Sequence, residues 1–428
     1  MRRYESYKDS GVEWLGEVPH CWDVKKVKNI FHLIAEPAAK NNQCELLSVY
    51  TDIGVKPRAE LEERGNKAST TDGYWIVKKG DIVVNKLLAW MGAIGLSEYD
   101  GVTSPAYDIL RPHQQINGKF FHYLFRTPLC LSEFKKNSRG IMDMRLRLYF
   151  EELGNIYIPF PSYPEQQKIA QFLDDKTAKI DQAVALAEKQ IALLKEHKQI
   201  LIQNAVTRGL NPDVPLKDSG VEWIGQVPEH WDVKKLKFVS KINQHTLPEN
   251  TNGSLSIKYV DIGSVSFENG IEKVENFSFK NAPSRARRLA HRGDIVVSTV
   301  RTYLKAITMV KEEHQDCIFS TGFAVITSNK CLEDNFFELY AKSDAFTEQV
   351  SVFSKGMSYP AINSTDLSNL WITVPPISEQ QKIADYLEIQ VSKINQAIAL
   401  KTAHIEKLKE YKSVLINDVV TGKVQVSV

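Results

Sequence analysis

Cysteine is scarce and scattered in this chain. Cys21, Cys44, Cys130, Cys317 and Cys331 are the only five in 428 residues, and none sits in a CxxC or zinc-ligand spacing. An odd, dispersed set argues against a disulfide framework and for a reducing compartment. No run of 18 apolar residues occurs, so no membrane-spanning helix is expected. The opening residues, MRRYESYKDSG, lead into no apolar segment of the kind a secretory signal needs. A soluble cytoplasmic protein with no membrane association is the expectation. An excess of charge of one sign is also missing: 54 Lys+Arg stand against 52 Asp+Glu, a net charge of +2. That excludes a uniformly basic nucleic-acid coat. It does not exclude a nucleic-acid partner, because binding depends on where the charge sits.

Catalytic signatures are missing too. There is no GxxxxGK loop, no GxGxxG after a strand, no HExxH and no GxSxG. The Asn/Asp-Pro-Pro-aromatic motif of amino-methylating enzymes is absent, since Pro375-Pro376 lacks both flanking residues. Glu-x-Lys occurs at Glu196–Lys198 and Glu410–Lys412 within charge-rich segments, where a solvated helix face explains it. No His is paired with carboxylate or Cys at ligand spacing. These absences favour a binding or scaffolding protein over an enzyme, with no metal and no catalytic residue of its own.

What the chain has is an internal repeat, which decides its organisation. Residues 7–30 (YKDSGVEWLGEVPHCWDVKKVKNI) and 216–239 (LKDSGVEWIGQVPEHWDVKKLKFV) are identical at 16 of 24 positions. YTDIG at 50–54 matches YVDIG at 259–263, and KKGDIVVNK at 78–86 echoes HRGDIVVST at 291–299. Residues 165–207 align with 379–421 with 22 of 43 identical, both opening EQQKIA. A period near 210 residues is far longer than any solenoid unit. It marks duplication of a whole module with alike ends and divergent middles. Shared parts do one job twice; divergent parts do related jobs on two targets.

The 165–207 and 379–421 blocks predict long helices. Leu173, Ile180, Ala187, Leu194 and Leu201 recur every seventh residue, with Thr177, Val184, Ile191, Lys198 and Ala205 four residues on. In the second copy the rows are Leu387, Ile394, Lys401, Leu408, Leu415 and Val391, Ile398, Ile405, Lys412, Val419. This 3–4 spacing is a coiled-coil seam, and a helix of such length would extend about 65 Å. Pro164 and Ser378 suit the helix starts, and Gly209 and Gly422 the stops. The two helices are expected to pack on each other as an intramolecular coiled coil, the alternative being two independent surface helices. Their relative direction is open. The lysines in the rows are polar seam residues of the kind that fix register.

The middles, about 30–160 and 239–374, are expected to be α/β (α+β). DIVVN (81–85), DILRP (108–112), NIYIPF (155–160), DIVVSTV (294–300), FAVIT (323–327) and LWITV (370–374) predict strands. Asn117–Phe134 and Leu332–Ser351 predict helices whose aromatics, Phe121, Phe125, Phe336, Phe337 and Tyr340, belong to the core. The resulting division is 1–160, 161–215, 216–374 and 375–428: α/β domain, long helix, α/β domain, long helix, related by pseudo-twofold repeat.

Positive charge is concentrated in those middles. Residues 135–147 (KKNSRGIMDMRLR) and 285–301 (RARRLAHRGDIVVSTVR) each carry five basic groups and one acidic. A solvated face is the plain reading of any one such run. Two features favour function. Gly140 and Gly356 lie in matching contexts, Ser-Arg-Gly-Ile-Met and Ser-Lys-Gly-Met, where a tight loop can bring a cation to a phosphate or base edge. After each GDIVV strand comes a loop with cations and an aromatic: Lys86 with Trp90, and Arg301 with Tyr303 and Lys305. Arg and Lys can pair with guanine. The candidate DNA-binding residues are therefore Lys86, Trp90, Arg139, Arg145, Arg147, Arg285, Arg301, Tyr303, Lys305, Lys355 and Tyr359. Trp14, Trp22, Trp223 and Trp231 in the repeated segment fit packing better than partner contact, and Asp52 and Asp261 fit turn caps as well as DNA contacts.

The ordered set KDSGVEWLGEVPxxW, a divergent middle with a GDIVV strand, PxxPEQQKIAxFLDxxTxKID and a second round resembles the specificity subunit of type I restriction-modification enzymes over nearly the whole chain. The resemblance implies that each middle is a target recognition domain reading one half of a split double-stranded DNA site, and that the long helices are conserved spacers. It implies two DNA methyltransferase subunits and one or two ATP-dependent restriction subunits as partners. S-adenosylmethionine, ATP and Mg2+ chemistry then resides in those partners, with no cofactor bound by this chain, in a bacterial or archaeal cytoplasm. Because the middles differ, the target is expected to be asymmetric. Two rivals remain at this stage. A coiled-coil scaffold whose middles bind proteins predicts no salt-dependent DNA affinity. A stand-alone nuclease or methyltransferase predicts activity without partners.

Overall fold

In each repeat, the GDIVV strand is apolar on both faces because it lies between two layers. The computed structural model describes residues 2–60, 71–142 and 145–426. The chain forms two compact units, one comprising the residues up to Glu188 and those from Ala403 onward, the other Lys189–Thr402. The repeat-based division places boundaries at the ends of the long helices; the compact units instead divide each long helix part-way along.

The first unit is built on a four-stranded antiparallel sheet in the order Phe31–Ile34, Tyr107–Pro112, Ile82–Asn85, Ile94–Leu96. Side chains alternate across a strand. Ile82 and Val84 accordingly enter a core with Phe120, Phe121 and Leu124, while Val83 enters a second core with Leu47, Val49 and Val77. The second core is covered by two short antiparallel pairs, Leu47–Tyr50 with Gly54–Pro57 and Trp75–Val77 with Gly101–Thr103. Gly80, at φ +100°, makes the turn into the GDIVV strand, and the buried Asp81 carboxylate accepts the Lys78 backbone N–H and two bonds from Arg111.

The second unit repeats that sheet as Ser240–Ile242, Phe323–Ser328, Ile295–Ser298, Ile307–Met309, again antiparallel. Ile295 and Val297 face the core with Phe336 and Phe337, and Val296 faces the other side with Phe319 and Val325. Its outer layer is a true sheet, Glu275–Ser278, Ser256–Val260, Cys317–Ser320, Ala286–Leu289, with one parallel pairing. Both units are thus α+β, and all six strands read from the sequence are present.

Two expected helices are each broken in two. Asn117–Phe134 is Gly118–Phe125 followed by Pro128–Lys136, because Pro128 cannot continue the first helix and Thr127 caps the second through its side chain. Leu332–Ser351 is Asp334–Ala341 and Asp344–Phe353, with Ser343 extended between them and its hydroxyl donating to the Tyr340 carbonyl. The predicted core aromatics Phe121, Phe125, Phe336, Phe337 and Tyr340 are all fully buried.

The long helices span Tyr163–Arg208 and Ile377–Val420. Gly209 and Gly422, at φ +77° and +78°, follow their ends. Ser378 lies inside the first turn of the second helix, which corrects its assignment as the cap. There the Pro376 carbonyl accepts the N–H groups of Glu379 and Gln380. Of the seam residues, Leu173, Ile180, Leu387, Ile405 and Leu415 are buried, and Val184, Ile191, Leu194, Leu201, Ile394, Ile398 and Leu408 are half-buried. In the second unit Lys401 donates to Gln190 (2.7 Å) and Lys198 to Asn395 (3.2 Å), so the helix segments run antiparallel. In the first, Lys412 donates to both oxygens of Asp181 at 2.7 Å. The seam lysines therefore act as register pins, each reaching a polar group on the facing helix.

Candidate nucleic-acid interface

The second residue of each EQQKIA motif acts as a clasp between the long helix and the layer beside it. Gln166 is wholly buried; its Oε1 accepts the Asn117 backbone N–H (2.8 Å) and its Nε2 donates to the Pro161 carbonyl (2.9 Å). Gln380 does the same for Glu333 (2.8 Å) and Pro375 (2.8 Å). Each glutamine thereby ties the start of a helix beside the central sheet to the start of a long helix and satisfies a part-buried N–H and a buried carbonyl. The preceding glutamates differ. Glu379 accepts from Trp231 Nε1 (2.9 Å) and pairs with His230, whereas Glu165 accepts from the Tyr4 hydroxyl (2.6 Å). Trp22 and Trp231 are buried packing residues, the first stacked edge-on to Phe120. Asp261 accepts from the Tyr259 hydroxyl and Asp52 is exposed.

At one end of each central sheet, two loops zip together. In the second unit, the loop after Ile295–Ser298 runs beside residues 354–362. The Ile362 N–H donates to the Thr299 carbonyl (2.9 Å), the Thr302 N–H to Pro360 (3.3 Å), and the Thr302 and Ser354 hydroxyls are 2.9 Å apart. Lys355 and Ala361 exchange backbone bonds of 2.8 and 2.9 Å. In the first unit the same frame recurs: Leu148 N–H donates to Lys86 (2.9 Å), and Arg139 and Arg147 exchange bonds of 2.9 Å. Gly140 and Gly356 take positive φ in the two loops.

This frame gathers most of the candidate residues. Arg301 is exposed, left-handed at φ +52°, and lies 5.3 Å from the Tyr359 ring. Tyr303, Lys355 and Tyr359 are exposed on the same pair of loops. Arg285 is exposed beside them, its carbonyl accepting from Thr321, whose neighbour Gly322 accepts from Thr299. Lys305, also left-handed at φ +48°, is half-buried and donates to Thr347 (3.2 Å). Two non-glycine residues held left-handed within five positions mark a loop whose shape is imposed by its surroundings.

In the first unit Arg145 and Arg147 are exposed, and Arg139 is exposed but paired with Glu152. Asp143 and Met144 of the basic 135–147 run lie outside the described residues. Lys86 is turned inward: its ammonium donates to the Pro105 carbonyl (2.9 Å) and lies 3.3 Å from Asp108. Burial raises the Asp108 carboxyl and Lys86 opposes that rise. Trp90 is half-buried, its Nε1 donating to Leu87 (3.1 Å) and its ring 4.8 Å from the Lys135 ammonium. The structure thus places Lys86 and Trp90 in support of the loop, and the cations at its surface in the 139–147 segment.

Sequence reasoning missed the apolar side chains on these loops. Leu87, Leu88, Met91, Ile141 and Met142 are exposed in the first unit, as are Leu304 and Met357 in the second. For Ile141, Met142 and Met357 a signal was present, their place beside the glycines of the matching SRGIM and SKGM motifs. Among the described residues no group of His, Cys, Asp or Glu could hold a metal ion, and no helix is long and apolar enough to cross a membrane. All five cysteines are free, and burial pushes the Cys130 thiol up to about 12.

Known proteins align with this chain along most of its length. The putative type I restriction enzyme MjaX specificity subunit of Methanocaldococcus jannaschii is 25% identical, over 99% of this chain and 97% of its own length. The EcoKI specificity subunit of Escherichia coli is 22% identical over 87% of this chain and 82% of its own length. Among solved structures, the HsdS subunit from Thermoanaerobacter tengcongensis superposes with a TM-score of 0.56 at 15% identity, covering 95% of this chain and 98% of its own. A chain described under complex assembly and conformational transition of the type I R-M system reaches 0.72 at 15% identity, covering 95% and 99%. The family model described as type I restriction modification DNA specificity domain matches residues 19–195 and again 228–410. With that domain twice over most of its length, the chain belongs to the type I restriction-modification specificity subunits, which are not themselves the catalytic components.

Proposed function

We propose that the two zipped loop pairs are the DNA-reading faces of this specificity subunit, each reading one half of a bipartite, asymmetric double-stranded site. The observation that carries this reading is the pairing of one backbone frame with two different sets of exposed side chains. The same bonds close both loop pairs, yet Arg145 and Arg147 stand on one, and Arg301, Tyr303, Lys355 and Tyr359 on the other. A shared frame with unlike donors suits two unlike half-sites. The long helices set the spacing between half-sites and dock two methyltransferase subunits, with one or two restriction subunits completing the complex. S-adenosylmethionine, ATP and Mg2+ act in those subunits. The methylated adenine in each half-site is reached by base flipping.

The test is methylome sequencing of cells carrying this subunit and its methyltransferase partner, wild type against Arg301→Ala and Arg145→Ala. Each change is expected to cost about 1–3 kcal/mol and to relax or abolish recognition in one half-site only. A palindromic target, or a consensus relaxed in both half-sites by one substitution, would overturn the assignment of one half-site to each loop pair.

A further inference from the structure

We propose that Met357 is a DNA wedge, inserted between stacked base pairs while the cations around it hold the flanking phosphates; Ile141 and Met142 take the same role in the first unit. The inference rests on the DNA-reading assignment above and deepens it. The 355–361 loop carries the argument because every residue in it is described. Reciprocal backbone bonds between Lys355 and Ala361 close it, and Gly356 turns at φ +108°, where a Cβ would come within 3.1 Å of the Tyr359 carbonyl. The glycine therefore permits a turn too tight for a side chain, and the next residue is thrust outward. Met357 has a relative exposure of 103%, the signature of a side chain touching nothing. In the first unit Gly140 makes the equivalent turn, and Ile141 reaches 102%.

A fully exposed methionine contributes nothing to the fold, and a lone one would need no explanation. Here the feature occurs twice, at matched positions of divergent loops, on frames anchored at their base to the central sheet. Its surroundings select the occupant. A protein partner's docking patch carries an apolar centre from which charge is depleted. Lys355 stands two residues before Met357, and Tyr359, two residues after it, lies under Arg301 of the paired loop. Arg145 and Arg147 accompany Ile141. An apolar tip flanked by Lys355 and by Tyr359, over which Arg301 lies, suits a base step with its flanking phosphates, and apolar wedges of this type unstack and kink duplexes. Methionine, unbranched and polarisable, adapts well to a gap between bases.

The experiment uses the full chain assembled with its methyltransferase subunits and a duplex carrying its mapped site. 2-Aminopurine replaces each base of the second unit's half-site in turn. Wild-type complex is expected to raise fluorescence at one step other than the methylated adenine, whose own signal reports flipping. Met357→Ala should erase that signal and weaken binding at least about tenfold. Met357→Leu should keep both, and neither variant should change the melting temperature. If Met357→Ala alters neither signal nor affinity while Lys355→Ala weakens binding, the wedge is overturned and the DNA-reading loop stands. If the complex shows no salt-dependent DNA affinity, the reading beneath it fails as well.

Discussion

The two units share a central sheet, a glutamine clasp and a zipped loop pair, and differ in what surrounds them. The second unit covers its sheet with four more strands, whereas the described residues of the first cover theirs with two short pairs. The turn after the GDIVV strand is made by Gly92 at φ +100° in the first unit and by left-handed Arg301 and Lys305 in the second. Duplication has preserved the parts that set backbone position and released the parts that meet solvent. The conserved elements are buried and hydrogen-bonded, so change there is costly; the divergent ones are exposed, where substitution costs little stability.

The strongest way to break this comparison is through the clasp. Gln166→Ala and Gln380→Ala each leave a part-buried N–H and a buried carbonyl without their side-chain partner, Gln380→Ala the Cys331 carbonyl as well, and each should cost about 2–4 kcal/mol. Urea unfolding of the two variants checks it, and a loss confined to one would show that the clasps are not equivalent. A smaller effect separates the tryptophans. Trp231 donates to Glu379, while Trp22 Nε1 has no acceptor among the described residues. Trp231→Phe should therefore cost about 1–2 kcal/mol more than Trp22→Phe by the same measurement.

An effect of about the same size is a pH dependence that His122 gives the first unit. Burial, with Arg126 adding repulsion, lowers His122 from 6.5 to about 4. Its Nδ1 accepts the Leu96 N–H (3.3 Å), a bond only the neutral ring can make. The unfolded chain then takes up the proton more readily than the folded one. Stability is full above about pH 6.5, falls as pH drops towards 4, and levels off below. His122→Gln should flatten that fall, raising the melting temperature measured at pH 5 by about 2–8 °C relative to wild type, compared with the difference at pH 8.

Much of this was legible in the residues. Period-two and period-seven patterns report burial directly, so the GDIVV strands, the long helices and their seam could be read. The interruptions at Thr127-Pro128 and Ser343 were harder, because aromatic spacing continues across them while the backbone does not. The setting of Lys86 was harder to read for a different reason. Lys86 looks like a free cation in sequence, and only the approach of Asp108, 22 residues later, turns it inward. EQQKIA was legible as a repeated motif but not as a clasp, since its partners Asn117 and Glu333 lie about 50 residues away and share no residue type.

Repeats and hydrophobic periods are local properties of the chain, so the duplicated module, its two long helices, two α+β middles and family-specific segments could be read from the residues alone. Only the tertiary structure decided the antiparallel direction of the helix segments, which cations remain at the surface, and that the matching glycines lift Ile141 and Met357 clear of it. Those outcomes depend on pairings between residues far apart in the chain, and such pairings exist only once the chain has folded.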